Sequence, residues 1–345
     1  MDQLFTPVIS EEKLHDNFRR LLDDRYIHSK EVIAQWANGF VDRDGKFALE
    51  FQTTFNGCFW ELYLFACLRE LQYSVDFSYT SPDFVVSTPK GDFCIEATIA
   101  SNADGTIPEW GTQIPEHLER DPELAIDLST IRLANSISSK YKKYKDSYAI
   151  LPHATGKPFV LAVAPFEQPF FYTQNQHAIR RVLYSYDKPI YEDFPERNTR
   201  VVYGHEYIEY ILKPNGAPIH LGYFVKPEMT EISAVIFSNT ATMGKADALS
   251  SDPGLLLFSA LWYNKDGLYP RHEVLHKAEY KETLLDGLHV YHNPLAENPL
   301  APDVLDFPGV IQYTYDFDNQ LMKPIKEPET YLIQRFVARI VPIQE

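Results

Sequence analysis

Three acidic residues sit among apolar neighbours that leave little room for charge. Glu61 interrupts Phe59-Trp60-Glu61-Leu62-Tyr63, Asp83 follows Pro82 and opens Phe84-Val85-Val86, and Glu96 stands between Ile95 and Ala97. A buried carboxylate is costly unless it is paired or bound to a cation. Asp83 and Glu96 fall on the two strands of a predicted hairpin, and Glu61 on the helix directly before it, so the three can converge. Clustered carboxylates repel one another, and a divalent cation relieves that repulsion. Such a cation can hold a phosphate and lower the pKa of an attacking water. The bland alternative is that Asp83 caps a turn, Glu96 faces solvent from an edge strand and Glu61 pairs with a surface cation.

The elements that must position these groups read as follows. Residues 10–24 and 29–38 have amphipathic helical spacing, capped by Ser10 and Ser29. Asp42-Arg43-Asp44-Gly45 is a turn. Residues 55–72 form a helix apolar on most sides. Strands are expected at 75–77, 81–86 and 93–99, the last two joined by a turn at 88–92. An acidic loop over 101–128 carries Asp104, Glu109, Glu116, Glu119, Asp121, Glu123 and Asp127 against Arg120. A helix over 129–146 follows, with Leu133, Ala134, Ile137, Tyr141 and Tyr144 on its apolar face. Phe159–Ala164 is a continuous apolar run suited to a central strand covered on both sides.

The order helix, hairpin, helix, strand, with Glu61, then Pro82-Asp83, then Glu96-Ala97, resembles the PD-(D/E)XK superfamily of restriction-endonuclease-like nucleases over roughly residues 50–165. The resemblance implies an α/β fold for that core, a mixed central sheet flanked by helices; the sequence pattern outside it adds a helical N-terminal segment and a β-rich C-terminal region. It also implies Mg²⁺ or Mn²⁺ held by Asp83, Glu96 and the Ala97 backbone carbonyl, with Glu61 orienting a metal-bound water or a second ion. The chain departs from the pattern at position 98, where Thr98 replaces the expected lysine. Lys140, flanking the buried face of the following helix, is the first candidate to replace it and Lys143 the second, whereas Lys90 lies at the hairpin tip. A metal-dependent nuclease is therefore expected, with Glu61, Asp83, Glu96 and Lys140 as catalytic residues. A catalytically inactive module that binds nucleic acid or protein is the alternative.

Charge and composition bear on the substrate. The chain has 345 residues, 32 Lys plus Arg, 48 Asp plus Glu and a net charge of −16, so bulk charge cannot bind a polyanion. The helix over 129–146 holds the densest positive patch, Arg132, Lys140, Lys142, Lys143 and Lys145, interleaved with Tyr141, Tyr144 and Tyr148. Arg132, Lys140 and Lys143 are thus the candidate nucleic-acid contacts, with DNA ahead of RNA, unless the lysine stems merely cover apolar surface. A homo-oligomer or a protein partner is compatible with the sequence. The 3 cysteines, Cys58, Cys67 and Cys94, show no C-x-x-C spacing and read as small core residues in a reduced cytoplasmic setting. The first residues lack the pattern of a signal peptide, and no apolar run is long enough for a membrane span.

His272-Glu273-Val274-Leu275-His276 fits the HExxH string of zinc metalloproteases. Pro270 and Arg271 before it and Lys277 after it are wrong for a long buried helix. His289 and His292 fall on opposite faces of a short strand. No motif supports a serine hydrolase, a P-loop NTPase or a dinucleotide-binding site. The expected division is an N-terminal helical segment over 1–50, a core over 51–165 and a β-rich region over 166–345, with strands at 201–203, 207–212, 219–225, 233–238, 255–262, 287–291 and 332–341.

Overall fold

The computed structural model describes residues 4–101, 121–168, 171–173, 176–194, 196, 199–267 and 269–340. Its centre is an eight-stranded mixed sheet. In spatial order the strands are β1 (Ser74–Val75), β2 (Phe84–Ser87), β3 (Phe93–Ile99), β4 (Phe159–Ala164), β9 (Ala234–Phe237), β12 (Leu288–His292), β13 (Val310–Asp316) and β14 (Leu321–Pro324). The protein is thus α/β, and the sheet continues well past residue 165. The hairpin β2–β3 is antiparallel, and β3–β4 and β4–β9 are parallel. All six residues of β4 are buried, as a strand with helices on both faces requires.

Alternation along the strands builds two separate cores. Phe84, Val86, Phe93, Ile95, Ala97, Val160 and Ala162 pack on one face against α1 (Asp16–Leu22), α2 (Ile27–Trp36), α3 (Phe47–Thr53) and α4 (Phe55–Glu70). Val85, Cys94, Phe159, Leu161 and Val163 pack on the other against α5 (Pro122–Lys143) and α6 (His177–Tyr184). Helix α4 buries twelve of its sixteen residues because it lies between the sheet and the other N-terminal helices. Trp60 anchors it: its indole N–H donates to the Ala162 carbonyl at 3.0 Å. A second, three-stranded sheet places β10 (Leu256–Trp262) between β11 (Arg271–His276) and β15 (Leu332–Arg339). Two small hairpins, β5 (Tyr186–Phe194) with β6 (Thr199–Tyr207) and β7 (Tyr210–Leu212) with β8 (Pro218–His220), complete the β structure.

Several sequence expectations are corrected. The helix over 10–24 is broken at His15, whose extended backbone follows a 3₁₀ turn at Glu11–Lys13 and caps α1 by accepting from the Asn17 N–H at 3.2 Å. Ser29 is not a cap but lies fully buried inside α2, where its hydroxyl donates to Asp247 Oδ1 at 2.5 Å. Helix α5 begins at Pro122, seven residues earlier than the expected 129, because the Asp121 side chain caps it by accepting from Leu124 N–H and Pro122 suits its first turn. It ends at Lys143 in a wider turn over Tyr144–Tyr148. Of the expected strand over 219–225, only residues up to His220 pair. Helix α6, α7 (Met243–Leu249) and strands β5, β11, β13 and β14 had no expected counterpart. The acidic residues Asp104, Glu109, Glu116 and Glu119, with Arg120, lie outside the described residues. Glu123 and Asp127 are on α5, where Arg181 binds both.

Candidate active site

Register brings two of the three carboxylates together. Phe84 pairs with Ile95 across the hairpin, so Asp83 and Glu96 are the next opposed positions as the strands run on. Glu96 alternates onto the face covered by α5, since its neighbours Ile95 and Ala97 both enter the opposite core, whereas Asp83 lies just before β2 within reach of Arg43. Asp83 Oδ2 accepts the Ala97 backbone N–H at 2.7 Å, which pins its carboxylate beside β3. Glu96 is 1% exposed and lies beneath α5.

Helix α5 answers the missing lysine at position 98. Lys140 Nζ lies 2.7 Å from Glu96 Oε1, and Lys143 Nζ reaches the same oxygen at 3.0 Å. The two lysines are three residues apart and so share the helix face over β3. Burial works against the Lys143 ammonium, but Tyr148 and the Glu96 charge hold its pKa above the usual lysine range. Thr98 itself faces α5, with its hydroxyl 3.2 Å from that of Ser136. Lys90 is engaged elsewhere, donating to the Asp303 carbonyl at 2.5 Å.

Glu61 comes from α4, on the other side of the sheet, yet it responds to the same charges. Burial pushes its pKa well above the usual carboxylate range, and the negative charges of Asp83 and Glu96 push it further. Burial and then Glu96 raise Asp83 to about 6, against the opposing pull of the Ala97 N–H, Lys140 and Arg43. Two carboxyls with raised proton affinity beside a third carboxylate mark this cluster as a candidate functional site.

Arg43 is the member of this group that sequence reasoning passed over. Its guanidinium donates to the carbonyls of Tyr79 at 2.9 Å and Pro82 at 3.2 Å, and lies 3.8 Å from Asp83 Oδ1. Asp42 fixes the turn before it, accepting from the N–H groups of Gly45 and Phe47. The turn was legible, but nothing in it marks the arginine as reaching Pro82, 39 positions further along the chain.

Among the described residues, no group of three or more His, Cys, Asp and Glu side chains forms a ready metal cage. The donors nonetheless suit Mg²⁺ or Mn²⁺. They are carboxylate oxygens, and Glu96 Oε2 is buried without a hydrogen-bond partner. Magnesium is commonly held by one or two carboxylates, with water and substrate phosphate completing its shell.

The remaining candidates separate from this site. His272 and His276 lie on strand β11, where four residues span about 13 Å. They cannot share a zinc ion as an HExxH helix would require, and His272 Nε2 instead meets the Ser259 hydroxyl at 2.9 Å. His289 and His292 point to opposite sides of β12, towards Gln176 and Gln312 respectively. The three cysteines are free and buried; burial raises Cys67 to about 12 and Cys94 to about 11, so neither is a ready thiolate. In the basic patch, Lys142 is paired with Asp146 at 2.5 Å and Lys145 sits over the Tyr141 ring at 4.2 Å, so both serve the helix itself.

Arg132 belongs to a different arrangement. It lines a groove of about 290 Å³ with Thr98, Ser101, Asn135, Ser136, Ser139 and Lys140. Residues 132, 135, 136, 139 and 140 follow the i, i+3, i+4, i+7, i+8 spacing of one helical stripe. The stripe holds two cations and no carboxylate, and it leads directly to Glu96. Among the described residues no helix is long and apolar enough to cross a membrane. No protein-family model matches the chain, and no curated protein or solved structure matches it significantly.

Proposed function

We propose that the protein is a metal-dependent nuclease of the PD-(D/E)XK type, hydrolysing phosphodiester bonds in nucleic acid. The observation that carries this reading is the lysine that α5 delivers: Lys140 Nζ stands 2.7 Å from Glu96 Oε1, beside Asp83. It supplies from a helix the cation that Thr98 cannot. Asp83, Glu96 and the Ala97 carbonyl are the groups that would hold Mg²⁺ or Mn²⁺. When bound, that ion would neutralise the carboxylates, grip a phosphate oxygen and acidify a water.

The chain's own residues have the following parts. The Ala97 N–H keeps Asp83 oriented towards Glu96. Lys140 places a positive charge where negative charge grows on the phosphorane-like transition state. Glu61, with its raised proton affinity, can accept or return a proton at a higher pH than an ordinary carboxylate. The stripe from Arg132 to Lys140 is suited to the sugar–phosphate backbone, its hydroxyl and amide groups donating to phosphate oxygens. DNA is placed ahead of RNA as the substrate, and both present the phosphate oxygens that this stripe suits.

A second reading is favoured by one observation. Glu96 Oε1 is already taken by two lysines, and no three-residue metal cage exists among the described residues. On this reading the site is a closed charge cluster in an inactive module. Calorimetric titration of Mg²⁺ and Mn²⁺ into wild type, Asp83→Ala and Glu96→Ala, with cleavage assays on single- and double-stranded DNA and RNA, separates the two. The nuclease reading expects metal binding and cleavage that both variants abolish. Cleavage that survives Asp83→Ala, or no metal binding even with nucleic acid present, would overturn it.

A further inference from the structure

Away from the carboxylates, a cleft of about 320 Å³ opens where α1, the first turns of α4, α7 and β15 meet. That is within the lower range of small-ligand pockets, roughly 300–1,000 Å³. Its walls are aromatic: Phe55, Phe59, Phe166, Phe171, Tyr172 and Phe336. Phe166 and Phe171 lie 5.5 Å apart, and Tyr172 meets Phe336 edge-on at 5.2 Å. Such walls favour a flat ring system.

The polar lining narrows the class. Asn239 and Arg335, both largely buried, contribute to the floor, and Asn239 Oδ1 and Arg335 Nε have no hydrogen-bond partner among the described residues. Unpaired buried polar atoms are costly, so the floor suits a ring that carries its own donors and acceptors. Gly244 lets α7 approach β15 closely beneath the cleft in an ordinary backbone conformation. A Cβ there would stand 2.9 Å from Val337 Cγ2 and 3.1 Å from Arg335 Nε.

Charge narrows it again. Asp247 lines the cleft, but Arg339 at 3.0 Å and the Ser29 hydroxyl at 2.5 Å occupy its carboxylate. Arg335 is paired with Glu282 at 2.7 Å, so exposed Arg20, at the rim, sets the sign. Arg19 is paired with Asp16, whereas exposed Arg20 has no ion-pair partner among the described residues. A cationic ligand is disfavoured here, and an anionic group at the rim is favoured.

From these features we infer that the cleft binds a nucleoside monophosphate. The base lies between the aromatic walls above Asn239 and Arg335, and the phosphate meets Arg20. The site is separate from the carboxylate cluster and does not depend on the hydrolytic reading.

The test is calorimetric titration of the full chain with AMP, GMP, CMP and UMP, with the matching nucleosides and with inorganic phosphate. At least one monophosphate should bind roughly tenfold more tightly than its nucleoside, the advantage expected of a charge-assisted phosphate contact. Arg20→Ala, at an exposed position, should erase that advantage and leave nucleoside binding unchanged. Phe336→Ala, where the ring is 42% exposed and its loss spares the core, should weaken nucleotide and nucleoside alike. Asp83→Ala should bind as wild type does. No binding of any monophosphate at millimolar concentration would overturn the inference. So would binding that neither Arg20→Ala nor Phe336→Ala alters, or binding that Asp83→Ala abolishes.

Discussion

Replacing Asp83 with Asn should make the protein more stable at neutral pH in the absence of divalent metal. The reason is the raised proton affinity of Asp83, from the ordinary 3.8 to about 6, caused by burial and by Glu96. At about 1.4 kcal/mol per pKa unit, that rise corresponds to ~3 kcal/mol of penalty on the ionised form in the folded state. An acid whose folded pKa is raised binds its proton more tightly in the native state than in the unfolded state. Its stabilising contribution is therefore present below about pH 4, declines as pH rises towards 6, and is absent at pH 7.5. Asn is isosteric, keeps an acceptor for the Ala97 N–H and never ionises. The two proteins should match near pH 4, and the variant should lead by up to ~3 kcal/mol at pH 7.5. For a chain of this length that is a Tm gain of about 3–6 °C. The assay is thermal and urea unfolding of both proteins from pH 4 to 8, with EDTA and then with Mg²⁺. If the proposed metal site forms, Mg²⁺ should close the gap by binding wild type and not the variant; saturation at a hundredfold Kd stabilises by about 2.7 kcal/mol. If the Asp83→Asn variant is instead the less stable protein at pH 7.5, Asp83 is an ordinary partner of Arg43 and the strained-site reasoning is wrong.

Other expectations follow from particular contacts. Lys140→Ala should lower cleavage by about 10²–10⁴-fold while circular dichroism stays unchanged; cleavage within threefold of wild type would remove Lys140 from the chemistry. Glu282→Gln should cost about 3–5 kcal/mol in urea unfolding, because it leaves the fully buried Lys245 and Arg335 cations without their shared carboxylate. Trp60→Phe should cost about 1–3 kcal/mol by leaving the buried Ala162 carbonyl without its indole donor; an unchanged urea midpoint would mean that α4 is held by packing alone.

What the sequence determined by itself was local or periodic. The apolar run of α4, the turn between β2 and β3, the buried strand β4 and the buried face of α5 all follow from short-range patterning, and each lies where that patterning puts it. The oddity of charge at Glu61, Asp83 and Glu96 was equally readable, since a carboxylate in an apolar run is anomalous from its immediate neighbours alone. The early start of α5 was readable too, in Asp121-Pro122, but the acidic run that precedes it masked the cap signal.

Tertiary structure alone decided which of these groups meet. Hairpin register carried Asp83 towards Glu96, and strand alternation turned Glu96 towards α5 rather than α4. The placement of α5 over β3 made Lys140 and Lys143, and not Lys142 or Lys145, the partners of Glu96. The HExxH string became strand β11 because its residues pair along the whole of β10, a long-range match that a local helical motif cannot register. Arg43 at Asp83, and Lys245 and Arg335 around Glu282, join residues far apart in the chain, 53 positions for Arg335 and Glu282. Local spacing carries no information over such distances; close packing of the sheet and its helical layers does.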